Sequence, residues 1–191
     1  MKIAITGSIG SGKSLCSQFL REYGYSVFDC DQVGKICFEK EHPAYLKILN
    51  QFDNILFEDK TIHRQKLAEI VFQDTTKRKI LESIVQPYIL EKMLQAMHET
   101  EEALFFAEVP LLYESGWERY FDGVLVVTAV EEWRIQRCIQ NRGYSENEVK
   151  RRIQNQMSDH VQCEKATWVI ENNGSILELK EKLFFWLKSI Q

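Results

Sequence analysis

The eight residues Gly7-Ser8-Ile9-Gly10-Ser11-Gly12-Lys13-Ser14 constrain the fold of this chain more than any other feature. They fit the pattern G-x-x-x-x-G-K-[ST], and residues 2–6 ahead of them have the continuous apolar character of a short buried strand. Behind them, one helix face is indicated by apolar residues at i, i+3, i+4 and i+7, namely Cys16, Phe19, Leu20 and Tyr23. A strand, a glycine-rich loop and a helix in this order build a cradle for phosphate, so we call residues 7–14 the phosphate loop.

The residues of the phosphate loop favour the binding of a nucleoside triphosphate. Glycines allow backbone N–H groups to converge on an anion, and the start of the following helix adds its positive dipole end. Lys13 can then reach the β- and γ-phosphates, and the Ser14 hydroxyl can ligate Mg²⁺. A flexible turn that merely opens a helix is the alternative, and the correct strand and helix on either side argue against it. We expect ATP to be bound by Gly7, Gly10, Ser11, Gly12, Lys13, Ser14 and Leu15.

The composition is that of an ordinary globular protein. The 191 residues are 45% hydrophobic and 27% charged, which suffices for one core with a small appended lobe. The net charge of −4 argues against a nucleic-acid partner, and no run approaches the ~18 apolar residues of a membrane span. Because residues 1–6 pass directly into the phosphate loop, we expect no signal peptide and a cytoplasmic location. Five scattered cysteines without a C-x-x-C pair are expected to be reduced structural thiols.

Apolar runs with the character of buried strands alternate with helical stretches. The runs are residues 2–6, 26–29, 103–108, 123–128 and 167–171. Their continuous rather than alternating hydrophobicity predicts a parallel sheet that is covered on both faces. The βαβα order predicts a single α/β domain, residues 1–191, with a doubly wound sheet of about five strands.

A helical insertion interrupts the predicted core. Between residues 31 and 102 only helical patterns occur, with Pro87 as the expected kink or break. An insertion of this kind between two strands is a natural place for a substrate-binding lobe. The remaining core is then expected at about residues 1–30, 103–130 and 165–191.

A second segment, about residues 134–160, follows the fourth strand and is expected to form a small lid. Within it, the capping-box pattern Ser145-x-x-Glu148 predicts the start of a helix that runs through Gln156. Beyond the last strand, an apolar stripe predicts a helix that packs on the core, and it consists of Ile176, Leu179, Leu183, Leu187 and Ile190.

Carboxylates follow two of the predicted strands, at the sheet edge where open α/β sheets bind their ligands. Asp29 and Asp31 are separated by one residue after the second strand, where the two carboxylates can face the γ-phosphate and a hydroxyl acceptor. Asp31 also suits the N-cap of the next helix, and the two roles are compatible. Glu108 ends the third strand, the position of an acid that holds Mg²⁺ directly or through water. A solvated acid at a strand end is the alternative for Glu108.

Arginines are concentrated in the predicted lid. Phosphoryl transfer spreads negative charge over the γ-phosphate oxygens, and guanidinium groups can stabilise that charge when a lid closes. Most helix arginines are merely solvated, so we select Arg142 first and Arg137 second as catalytic candidates beside Lys13 and Asp31. Arg64, in the helical insertion, is a candidate anion clamp for the substrate.

An ordered series of motifs resembles the dephospho-CoA kinase family nearly end to end. The phosphate loop, preceded by Ile5-Thr6, is close to the family's T-G-G-I-G-S-G-K-S, and Val27-Phe28-Asp29-Cys30-Asp31 is similar to its V-I-D-A-D. The later matches, in family order, are Arg64 with Leu67, Val71-Phe72, Pro110-Leu111-Leu112-Tyr113-Glu114, Leu125-Val126-Val127, Arg137, Arg142-Gly143-Tyr144-Ser145, Arg152-Ile153-x-x-Gln156 and Asn172-Asn173-Gly174. Many nucleotide-binding proteins share the loop alone, whereas the ordered set is far more specific.

The resemblance implies a three-layer P-loop kinase fold and a specific reaction. That reaction is transfer of the ATP γ-phosphoryl group to the ribose 3′-hydroxyl of dephospho-CoA, the last step of coenzyme A synthesis. Asp31 would then orient the attacking hydroxyl, Arg142 and Arg137 would cover the transition state, and Arg64 would hold the acceptor. The implied partner is a small molecule, and we expect a monomer or a weak homo-oligomer.

Four positions depart from the family pattern: Ser8 replaces a glycine, Leu15 a threonine, Gln86 a histidine and Thr167 an acid. None of these changes removes a candidate catalytic residue. Another P-loop kinase acting on a nucleotide or nucleoside is the nearest alternative, and a regulatory NTPase switch is an alternative from a different class. A guanine-reading switch should carry Asn/Thr-Lys-x-Asp after a strand, and this sequence has none.

Overall fold

The computed structural model describes all 191 residues and contains one five-stranded parallel sheet. The strands are β1 (Lys2–Thr6), β2 (Val27–Asp29), β3 (Phe105–Glu108), β4 (Gly123–Thr128) and β5 (Trp168–Glu171), arranged in the order β2-β3-β1-β4-β5. β1 pairs in parallel with both β3 and β4, and β4 pairs with β5. The expected parallel α/β sheet of five strands is confirmed, and each predicted strand is present within three residues of its expected start.

The chain also contains nine α-helices. They are α1 (Lys13–Glu22), α2 (Cys30–Ile36), α3 (Pro43–Leu49), α4 (Arg64–Gln73), α5 (Thr75–Glu99), α6 (Glu131–Arg142), α7 (Glu146–Gln154), α8 (Asp159–Lys165) and α9 (Ile176–Ser189), with a 3₁₀ helix at Trp117–Tyr120. None of them combines the length and the apolar character that a membrane crossing requires. By internal contacts the chain divides into two compact units, and residues Asp29–Glu99 form the second of them.

The unit formed by Met1–Phe28 and Thr100–Gln191 contains the central core. Strand residues such as Ile5, Phe106 and Leu125 are fully buried. Helices α1 and α9 pack through Leu20, Leu179 and similar residues against the face that carries Ile5 and Leu125. The alternate positions, such as Ala4 and Val126, are buried too, so the strands are apolar without alternation. The predicted stripe on α9 is correct at Leu179, Leu183 and Leu187. It is wrong at Ile176, which is 66% exposed because it is the first residue of the helix.

The Asp29–Glu99 unit has a helical core of its own, around the fully buried side chains of Ile48 and Leu67. Helices α2, α3 and α4 all pack against α5 in this unit. Of the predicted kink or break at Pro87, the break is wrong, because Pro87 lies inside the continuous 25-residue helix α5. A proline removes only one backbone donor from a helix, and packing on three neighbouring helices offsets that loss.

Candidate active site

The phosphate loop adopts a conformation that only glycine accommodates easily at three positions. Gly7, Gly10 and Gly12 have φ angles of 145°, 78° and 105°. A Cβ atom at Gly7 would overlap the carbonyl oxygen of Val127, and one at Gly10 would overlap the backbone of Arg134. Since Gly12 is also the N-cap of α1 and has no side chain, no side-chain cap covers the first turn of this helix. The loop and the helix start therefore present backbone donors to an anion.

A serine and a glutamate meet at the carboxyl edge of the sheet. Glu108 ends β3, which lies beside β1, and it is only 5% exposed. The Ser14 hydroxyl at the start of α1 donates to Glu108 Oε1 over 2.6 Å. Burial, with the charge of Glu108 as a smaller contribution, raises the pKa of the neighbouring Cys16 thiol to about 12. Two hard oxygen donors of this kind match the ligand preference of Mg²⁺.

A cavity of about 510 Å³ adjoins the phosphate loop, and we call it the nucleotide cavity. Its walls are the loop and the start of α1, one face of α6, and the residues that lead into α9. Lys13 lines it and is only 8% exposed as a whole residue. The predicted catalytic residues Lys13, Arg137 and Arg142 all line this cavity.

The two selected arginines occupy different environments along α6. Arg137 Nη2 donates to the carbonyl oxygen of Asn172 over 2.9 Å, while its Nη1 is buried without a protein partner. Burial lowers the pKa of Arg137 from its ordinary value. Arg142 is the last residue of α6, is exposed, and makes no hydrogen bond or ion pair through its side chain. Gly143, with φ 67°, ends the helix directly after it, as the Arg142-Gly143 pair predicts.

Asn172 is a site residue whose role does not follow from the sequence pattern alone. Its side-chain Nδ2 donates to the Ser11 carbonyl oxygen over 2.8 Å, and its backbone N–H donates to Thr128 over 2.7 Å. The neighbouring Asn173 accepts from the Val130 N–H over 2.9 Å, at the start of α6. The Asn172-Asn173-Gly174 motif marks these residues in the sequence. Their contacts with the phosphate loop and α6 become evident only when β5 is seen to end beside the loop.

Residues after α7 also hold the phosphate loop, which the sequence analysis did not predict. Gln156 Oε1 accepts from the Ile9 N–H over 2.9 Å, and the Ser8 hydroxyl donates to Asp159. Glu114 in turn accepts from the Met157 N–H over 2.8 Å. Helix α7 ends at Gln154, two residues before its predicted end, which leaves Gln156 in a connection that reaches the loop.

Asp31 and Arg64 belong to the Asp29–Glu99 unit. The predicted cap is wrong, because Asp29 is the N-cap of α2 and accepts from the Gln32 N–H over 2.9 Å. Asp31 is the second residue of the helix and is exposed, so N-capping does not explain its presence. The Arg64 guanidinium lies over the Phe38 ring at 5.4 Å and donates to the Lys35 carbonyl oxygen over 3.1 Å. Arg64 is exposed and lines a cavity of about 390 Å³ within this unit.

Thr167 occupies a position where the resembled family has an acid. Its hydroxyl accepts from the Val124 N–H over 3.0 Å, and its own N–H donates to the Val124 carbonyl oxygen over 3.0 Å. Both bonds lie where β5 begins beside β4, on the far side of the sheet from the phosphate loop. This departure is therefore explained by strand pairing.

The fold and the site together define a P-loop kinase: a parallel sheet, a phosphate loop after β1, an acid that ends β3 and arginines over the loop. The sequence profile of the dephospho-CoA kinases matches residues 1–178. This chain belongs to the dephospho-CoA kinase family and is an enzyme of the transferase class.

Individual relatives are similar to this chain over nearly its full length. A dephospho-CoA kinase from Corynebacterium glutamicum is 36% identical over 187 residues, which cover 96% of this chain and 96% of the relative. A crystal structure of a Thermus thermophilus protein is 34% identical with a TM-score of 0.86, over 100% of this chain and 98% of that one. The dephospho-CoA kinase from Campylobacter jejuni is 28% identical with a TM-score of 0.73, over the same shares of both chains.

Proposed function

We propose that this protein transfers the γ-phosphoryl group of ATP to the ribose 3′-hydroxyl of dephospho-CoA, which forms coenzyme A and ADP. Membership of the dephospho-CoA kinase family supports dephospho-CoA as the acceptor and ATP as the phosphoryl donor. The observation that carries the phosphoryl transfer is the nucleotide cavity, which is lined by the phosphate loop with Ser14 and by two arginines, and Ser14 is in turn bonded to the buried Glu108.

The phosphate loop binds the triphosphate in this proposal. Backbone N–H groups of Gly10, Gly12 and the first turn of α1 surround the phosphate oxygens, and Lys13 places a positive charge on the β- and γ-phosphates. Because Lys13 is largely buried, its interaction with phosphate is stronger than that of an exposed lysine.

Ser14 and Glu108 fit a magnesium site. Their oxygen atoms are 2.6 Å apart, Glu108 is buried, and both are ligand types that Mg²⁺ prefers. A bound Mg²⁺ ion would neutralise charge on the β- and γ-phosphate oxygens. Ser14 would hold the ion directly, and Glu108 would hold it directly or through water.

Asp31 and the arginines complete the transfer. Asp31 orients the ribose 3′-hydroxyl and accepts its proton as the hydroxyl oxygen bonds to the γ-phosphorus. The bond from the γ-phosphorus to the β,γ-bridging oxygen breaks, and ADP leaves with that oxygen. Arg142 stabilises the charge on the transferred group, and the unpartnered Nη1 of Arg137 supplies a second donor. Arg64 binds the acceptor through an anionic group.

A coupled assay with ATP tests this function by measuring ADP release with and without dephospho-CoA. We expect fast release only with the acceptor, and a product whose ³¹P spectrum contains a ribose 3′-phosphate. Coenzyme A is the matched control, because its 3′-oxygen is already phosphorylated. Equal ADP release without an acceptor would favour an NTPase switch, and preference for a free nucleoside would favour another P-loop kinase.

A further inference from the structure

Ser8 occupies a position where the family pattern has glycine, yet neighbouring side chains form hydrogen bonds with its hydroxyl. Ser8 is 3% exposed, and its backbone does not lie in the left-handed region that the glycines at 7, 10 and 12 occupy. Its hydroxyl donates to Asp159 Oδ1 and accepts from Gln162 Nε2 over 3.2 Å. Both capacities of the hydroxyl are therefore used by residues of α8.

Asp159 is itself fixed by a buried arginine. Arg134 Nη2 lies 2.9 Å from Asp159 Oδ2, so each carboxylate oxygen has its own partner. The Arg134 side chain is 5% exposed, and its Nε and Nη1 atoms have no protein partner. Glu131, at 3.8 Å, is the only other acid near this guanidinium. The chain of contacts Ser8–Asp159–Arg134 thus joins the phosphate loop to α8 and α6.

These three residues do not line the nucleotide cavity. They line a separate cavity of about 600 Å³, together with Gln156 and Glu131. Their side chains consequently act on the nucleotide only through the loop backbone. A loop with three glycines has many accessible conformations, and bonds from outside the loop are what reduce them.

We infer that the Ser8–Asp159–Arg134 chain positions the phosphate loop for ATP, and that Ser8 is a positioning residue rather than a neutral replacement of glycine. The inference rests on the proposed binding of ATP at the loop, and it does not depend on the identity of the acceptor. Hydrogen bonds to a charged group are the strong ones, so loss of the hydroxyl should loosen the loop measurably.

The test is Ser8→Ala, with the dissociation constant of a non-hydrolysable ATP analogue measured by calorimetry. We expect this constant to rise about tenfold, the change that loss of a hydrogen bond to a charged group gives. Ser8→Gly should weaken binding at least as much, because it also adds backbone freedom. The KM for dephospho-CoA should stay within about twofold, since none of the three residues belongs to the Asp29–Glu99 unit, which contains the proposed acceptor residues Asp31 and Arg64.

Ser17→Ala is the matched control, because Ser17 is a fully buried serine of α1 whose hydroxyl has no hydrogen-bond partner. Its ATP affinity should match that of the wild type. A double-mutant cycle adds Asp159→Asn, and we expect the Ser8→Ala effect to vanish largely in that background. Glu164→Gln on α8, an exposed acid, controls for loss of charge.

An unchanged dissociation constant in Ser8→Ala, or additive free energies in the cycle, would overturn the inference. Asp159→Asn leaves Arg134 buried without its partner and can fail to fold. In that case the comparison of Ser8→Ala and Ser8→Gly with Ser17→Ala decides alone. Because calorimetry with the analogue needs no acceptor, this result stands even if dephospho-CoA proves to be the wrong substrate.

Discussion

The two sides of the nucleotide cavity are built in opposite ways. The phosphate loop is held by three side chains from different segments: Gln156 between α7 and α8, Asp159 at the start of α8, and Asn172 after β5. Across the cavity, Arg142 is exposed and its side chain makes no hydrogen bond or ion pair. Groups that bind the phosphates of the ground state gain from being preorganised, whereas a group that acts only on the transition state can be placed by a later motion.

The twelve-residue helix α6 contains both a fixed, paired arginine and an exposed arginine without a side-chain partner. Its first turn contains Arg134, which is 4% exposed and paired with Asp159, while its last residue is the exposed Arg142. Residues Gln156 and Asp159, at the other end of the predicted lid, also hold the phosphate loop. We therefore expect any lid motion to be confined to the part of residues 134–160 that lies between these anchors.

The largest expected effect is at Lys13, on the preorganised side. Lys13→Ala should lower kcat/KM by about 10³-fold, because a positive charge on the β- and γ-phosphates is lost. Circular dichroism and thermal melting should show an intact fold. A folded variant with turnover near the wild-type rate would contradict the proposed role of the phosphate loop.

Asp31→Asn should give the next largest effect, a fall in kcat of about 10²-fold with little change in ATP affinity. The amide cannot accept the proton of the attacking hydroxyl. Asp29→Asn is the matched control, since Asp29 is the true N-cap of α2 and Asn caps helices about as well as Asp. If both variants turn over at similar rates, Asp31 has no role in proton transfer.

Features of this protein that depend on contacts between residues close in the chain could be predicted from the sequence, whereas features that depend on distant residues could not. The loop, the strands and the Ser14–Glu108 pair follow from local patterns and from the rule that parallel strands end at one edge. The cap at Asp29 instead of Asp31 was missed, because a shift of two residues leaves the local pattern nearly unchanged.

The tethers of the phosphate loop were missed for a different reason. Asn172, Asp159 and Gln156 are 147 to 161 residues away from their partners in the chain. No periodicity or local spacing encodes such pairs. The continuity of α5 through Pro87 is likewise set by helices packed against it, so propensity alone predicted the wrong result.

On the exposed side of the cavity, Arg142→Lys should lower kcat about tenfold while the dissociation constant of ATP stays nearly unchanged. Lysine keeps the charge but lacks the planar fork that contacts two phosphate oxygens. Arg151→Lys is a suitable control, because Arg151 is an exposed arginine of α7 that does not line the nucleotide cavity. Full activity of both Arg142→Lys and Arg142→Ala would remove Arg142 from the site.

The smallest expected effect is at Asn172, and it measures the preorganised side directly. Asn172→Ala removes the bond from Nδ2 to the Ser11 carbonyl oxygen and the long 3.5 Å contact of Arg137 Nη2 with Oδ1, but it keeps the shorter bond from Arg137 to the backbone carbonyl oxygen of residue 172. One neutral hydrogen bond contributes about 1 kcal/mol, so the KM for ATP should rise about fivefold with kcat nearly constant. This pattern is the reverse of that expected for Arg142→Lys.

Asn173→Ala, which removes an amide that contacts Val130 and not the loop, should leave the KM for ATP unchanged. If Asn172→Ala lowers kcat and leaves the KM for ATP unchanged, the phosphate loop does not need the Asn172–Ser11 bond to bind ATP. The preorganisation of the loop would then depend on Gln156 and Asp159 alone.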